Sequence, residues 1–68
     1  MNSARIEKSK RLQSVDKALS KGVEMSTKEL IQATGMCAIN SIISELRDNG
    51  KDIRCQRRGG AWYYLMIN

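Results

Sequence analysis

Ala38, Asn40, Ser41 and Ser44 stand close together in a chain that has no histidine. An asparagine amide offers both a donor end and an acceptor end, and a serine hydroxyl does either job. A second group, Gln56–Arg57–Arg58–Gly59–Gly60, puts two guanidiniums beside the most permissive backbone in the chain. A third, Ser26–Thr27–Lys28, joins hydroxyls to an ammonium. Such groups recognise by hydrogen bonds and charge. They do not suit covalent or acid–base work, which would want a histidine, a carboxylate pair at a credible site, or a glycine-rich phosphate loop. No enzyme is expected, and no cofactor.

The frame that must hold these groups is small. The 68 residues are 41% hydrophobic and 28% charged, the balance of one globular domain near the lower limit for folding on a single apolar core. Cys37 and Cys55, without histidine, fall short of a zinc ligand set, so no metal is expected. They are expected as buried thiols rather than a disulfide, as in a reduced cytoplasm. No apolar run is long enough for a bilayer and the polar N-terminus has no signal-peptide core, which points to a cytoplasmic protein with no membrane partner. The net charge of +5 is uneven: +4 over residues 1–22, −2 over 23–50 and +3 over 51–68. Should the fold bring both ends to one face, that face would suit a phosphate backbone.

Along the chain, residues 1–7 show no cap and little apolar pattern, and are expected to fray; residues 8–68 form the domain. From about Lys8 a first helix follows, with Leu12, Val15, Ala18 and Leu19 on one side and Gly22 beyond its end. Residues 23–25 suit a short extended segment that pairs with a later strand. Ser26 and Glu29 stand at the spacing of a capping box, opening a second helix with Leu30, Ile31 and Ala33 inward and Gly35 as its stop. A third helix is expected over 37–49. Ile39, Ile42, Ile43 and Leu46 give it one apolar side, and Gly50 ends it. The period then changes to two. Ile53 and Cys55 alternate with polar neighbours, Gly59–Gly60 suits a tight turn, and residues 61–66 form the return strand. A two-residue turn would set Cys55 opposite Tyr64 and Ile53 opposite Met66, while a longer one would shift the register. Both remain open at this point. The fold class is α+β: three helices, then a β-hairpin.

With its isoleucines inward, the third helix turns Cys37, Ser41, Ser44 and Asp48 outward, flanked by Asn40 and Arg47 on one side and Ala38 and Glu45 on the other. Small side chains let a helix approach the major groove of DNA, and an asparagine can bond adenine in bidentate fashion. Ala38, Asn40, Ser41 and Ser44 are therefore the candidate base readers. Thr27, Lys28, Arg47, Gln56, Arg57, Arg58, Gly59, Lys8 and Arg11 are the candidate phosphate contacts, by charge, hydroxyl or open backbone. The same groups also fit an ordinary solvated surface. Trp62 would either pack against the hairpin or first helix or stack on a ligand. Met25 and Met36 read as core filler.

The segment from Gly35–Met36–Cys37–Ala38–Ile39–Asn40 through Leu46–Arg47–Asp48–Asn49–Gly50–Lys51–Asp52–Ile53, continuing through the glycine hairpin to Tyr63–Tyr64–Leu65, resembles the winged helix-turn-helix domain of the biotin repressor. The likeness extends to small stand-alone winged helix-turn-helix proteins of phages and prophages and covers about residues 10–66. It implies that the third helix is the recognition helix and that residues 54–62 are the wing. Between Gly35 and Ile39 the chain is shorter than the biotin repressor pattern, and it has none of that protein's ligase portion. The expected partner is double-stranded DNA, bound by a small regulator or accessory factor. A homodimer is compatible with this. The alternative is a protein-interaction module that docks on a host or phage protein.

Overall fold

The computed structural model of the chain describes residues 5–67, with three α-helices and one three-stranded antiparallel sheet. The helices are α1 (Lys10–Leu19), α2 (Thr27–Thr34) and α3 (Ile39–Asp48). The strands are β1 (Met25–Ser26), β2 (Asp52–Arg58) and β3 (Ala61–Ile67), in the order β1-β3-β2.

Local chemistry accounts for most of these boundaries. The Ser9 hydroxyl accepts from the Leu12 N–H and starts α1. At α2 the box expected of Ser26 and Glu29 is complete: the Glu29 N–H donates to Ser26 Oγ at 3.1 Å, and the Ser26 N–H donates to Glu29 Oε1 at 2.8 Å. Gly35 closes that helix in the left-handed conformation, at φ 74°. The third helix is shorter than 37–49. Cys37 lies in the turn and Ala38 is its N-cap, with no side-chain hydrogen bond to the helix.

Gly59 and Gly60, at φ 57° and 80°, make a two-residue turn, so Cys55 pairs with Tyr64 and Ile53 with Met66. The short strand pairs with Tyr63 and Tyr64 at Met25–Ser26, slightly later than residues 23–25.

One core joins the two layers. Leu12, Val15 and Leu19 from α1, Leu30 from α2, and Ile39, Ile42, Ile43 and Leu46 from α3 close over Ile53, Tyr64 and Met66 of the sheet. Met25, Ile31 and Met36 pack partly buried against it, whereas Ala33 is exposed because the second helix turns it toward solvent. Of the segment expected to fray, residues 1–4 lie outside the described residues. Ile6–Lys8 forms a 3₁₀ turn, Ile6 packs on the core, and its N–H donates to Asn49 Oδ1 at 3.3 Å. Cys37 and Cys55 are free and exposed, not buried thiols: the first stands in the turn before α3, and the second lies where β2 runs out past the core. Among the described residues, no helix is long and apolar enough to cross a membrane, and no group of His, Cys, Asp or Glu could hold a metal.

Candidate functional site

The outer face of α3 runs beside the hairpin, and an open groove of about 230 Å³ lies between them. Asn40, Ser44 and Arg47 line its helix side; Cys55, Trp62 and Tyr64 line its sheet side. The groove exists because strand side chains alternate across the sheet. Ile53, Cys55 and Arg57 of β2 share a face with Met66, Tyr64 and Trp62 of β3. Near α3 that face is the core. Further out the helix ends, and the same face opens to solvent.

Ser41 and Ser44 are exposed, and among the described residues their hydroxyls have no hydrogen-bond partner. Asn40 is exposed as well, but its Oδ1 accepts from the Tyr64 hydroxyl at 2.7 Å. Ala38 stands exposed at the N-cap rather than on the helical face assigned to it. Its methyl cannot cap, so the first N–H groups of α3 have no side-chain acceptor, unlike those of α1 and α2.

Arg47, one of the expected phosphate contacts, is exposed and also bonds within the protein. Its Nη2 and Nε donate to the Ile53 carbonyl at 2.6 Å and 3.1 Å, and Nη2 also lies 3.0 Å from Cys55 Sγ. The guanidinium thus ties α3 to β2.

Consecutive strand residues point to opposite faces, so the two hairpin arginines separate. The Arg57 guanidinium lies 6.0 Å from the centroid of Trp62, on the α3 side, and among the described residues it makes no ion pair. Arg58 lies on the other side, 4.3 Å from the Tyr63 centroid, and pairs with Glu24. Gln56 and Gly59 are exposed on the hairpin. Trp62 packs against its hairpin neighbour, not the first helix, and stays 42% exposed.

At the N-terminus of α2 the two hydroxyls are already engaged. Ser26 Oγ is held by the capping box, and Thr27 Oγ1 donates to the Tyr64 hydroxyl at 3.5 Å, which leaves Lys28 as the exposed cation there. Lys8 is exposed at the end of the 3₁₀ turn. Arg11 crosses from α1 to α3, reaching Glu45 at 3.3 Å.

Of the expected residues, the groove takes Asn40, Ser44 and Arg47, while Ser41 stands beside Asn40 on α3 and Arg57 lies further along the same sheet face, against Trp62; Arg11 and Arg58 are engaged by Glu45 and Glu24 instead. Tyr64, Trp62 and Cys55 belong to the groove and were not among the expected site residues. A signal for Tyr64 existed: a tyrosine at an inward strand position needs a partner for its hydroxyl.

Compared with known proteins, the chain has no match among family models, curated proteins or solved structures.

Proposed function

We propose that this protein is a winged helix-turn-helix binder of double-stranded DNA, with α3 in the major groove and the β2–β3 hairpin as the wing. The observation that carries the reading is the pairing of two features on one side of the molecule. One is the exposed small polar face of α3 at Asn40, Ser41 and Ser44; the other is Arg57, which shares the sheet face of Cys55 and packs on the groove residue Trp62 without an ion pair among the described residues. A major groove admits a helix whose facing side chains are short, and phosphate contacts on either side fix its register.

The order of elements supports the same reading. A helix, a two-residue strand, two helices joined through residues 35–38 and a glycine hairpin follow one another, with the short strand against β3. Helix-turn-helix units put the N-terminal residues of their second helix at base edges. Here those residues are Asn40 and Ser41, on a helix start that no side chain caps. Lys28 at the preceding helix and Arg57 on the wing flank it as backbone contacts. The likeness to small phage and prophage regulators makes a transcriptional regulator or accessory factor the role of choice, in the cytoplasm.

Fluorescence anisotropy with duplexes won by random-site selection tests the proposal. Affinity should fall steeply between about 50 and 200 mM salt, as counterions are released from the phosphates. No binding at micromolar protein, or binding indifferent to salt, would favour the protein-docking alternative.

A further inference from the structure

Asn40 is the one candidate base reader whose amide is held by the protein itself. Tyr64 is 3% exposed, and its hydroxyl donates to Asn40 Oδ1 at 2.7 Å. A phenol carries one proton. Thr27 Oγ1 donates to the phenolic oxygen from the start of α2, so the phenolic proton is left for Asn40. The relay Thr27–Tyr64–Asn40 thus links α2, β3 and the first turn of α3.

The consequence is directional. A carboxamide is planar, with oxygen and nitrogen on opposite sides of its carbon. With the oxygen turned to a buried phenol, the amine must turn outward, and Asn40 is exposed. The bidentate adenine contact needs both ends of the amide turned to the base, since adenine presents one acceptor and one donor in the major groove, and an outward amine alone meets only the N7 acceptor. A guanine presents two adjacent acceptors, N7 and O6, and two N–H donors on one nitrogen can serve both.

We infer that Tyr64 fixes the Asn40 amide with its amine outward, so that the first turn of α3 selects guanine rather than adenine. This rests on the reading of the protein as a DNA binder. Asn40 is the residue in contact with the base; Tyr64 and Thr27 are positioning residues.

The test compares wild type, Asn40→Ala, Tyr64→Phe and Thr27→Val on a panel of duplexes substituted base by base across the selected site. Asn40→Ala locates the contact as the position at which preference disappears. At that position wild type should favour guanine over adenine about tenfold, the scale of one well-placed base contact. Tyr64→Phe, shown folded by circular dichroism, frees the amide to turn and should bring the ratio close to one. Thr27→Val should move it the same way while keeping the tyrosine, which guards against a fold defect in the phenylalanine variant. Adenine preferred by wild type at that position, or a ratio unchanged in folded Tyr64→Phe and Thr27→Val, overturns the inference while leaving DNA binding intact. So does DNA binding with no position sensitive to Asn40→Ala. Absence of any wild-type binding overturns the DNA reading and this inference with it.

Discussion

Arg47 donates two hydrogen bonds to the carbonyl of Ile53, and so the end of α3 covers an edge of the sheet. With a two-residue turn at Gly59–Gly60, alternation leaves Ile53, Cys55 and Arg57 with backbone groups turned away from β3. Such an open edge invites pairing with another chain. Arg47 occupies one of its acceptors, and Arg54, Arg57 and Arg58 add charge along it.

Arg47→Ala should therefore cost stability and solubility together. Losing charge-assisted bonds to a carbonyl costs about 1–2 kcal/mol, taken from the lower part of the usual range because the side chain is exposed. Urea unfolding would show a lower midpoint at unchanged slope, and light scattering should rise with protein concentration. An Arg47→Ala protein as stable and as monodisperse as wild type would refute the edge-covering role. Arg47→Lys should recover only part of the loss, because an ammonium cannot reproduce the guanidinium fork.

The capping box makes a second prediction. Ser26→Ala should destabilise by about 1 kcal/mol, and Glu29→Gln should cost little, because glutamine can still reach the Ser26 N–H. Ser26→Ala with Glu29→Ala should fall short of the sum of the single losses, since each partner holds the other in place. Thermal melts of the four variants decide it. Strict additivity would mean that the two bonds act independently.

The separation of Arg57 from Arg58 predicts unequal roles in DNA binding. Arg57→Ala should weaken binding to all duplexes alike and lower the slope of log K against log salt by about one. Arg58 already pairs with Glu24, so Arg58→Ala should change the slope less. Glu24→Gln releases Arg58 and should strengthen binding at low salt. Equal losses for the two arginines would show that the Glu24 pair is broken in the complex.

How much of this was legible depends on sequence distance. The Ser26–Glu29 box, the isoleucine face of α3 and the glycine turn are local patterns, and the structure forms each of them. The shorter start of α3 was not legible, because Cys37 and Ala38 fit a helical wheel although the turn after Gly35 takes them. Bonds between distant elements left no trace either. Ile6 meets Asn49 and Asn40 meets Tyr64 only after the layers close, so a chain end expected to fray gained a core contact, and a solvent-facing amide gained a fixed orientation. The arginine pair is an intermediate case. Alternation along a strand predicts opposite faces for neighbours, but which arginine faces α3 depends on the register, which the turn length decides.

That turn is itself testable. Gly59 and Gly60 both have positive φ, the requirement of a type I′ turn, whose favoured sequence is Asn-Gly. Gly59→Asn should be tolerated. Gly60→Val should cost more than 1 kcal/mol, because a β-branched side chain is strained in the left-handed region even though space is open around Gly60. If the hairpin answered by adopting a longer loop, the register would slip and Arg58 would exchange faces with Arg57. Cross-strand nuclear Overhauser effects between Cys55 and Tyr64 would then vanish, and the Asn40–Tyr64 bond would be lost with them. Retention of those effects alongside full stability in Gly60→Val would show that the turn does not depend on glycine at this position.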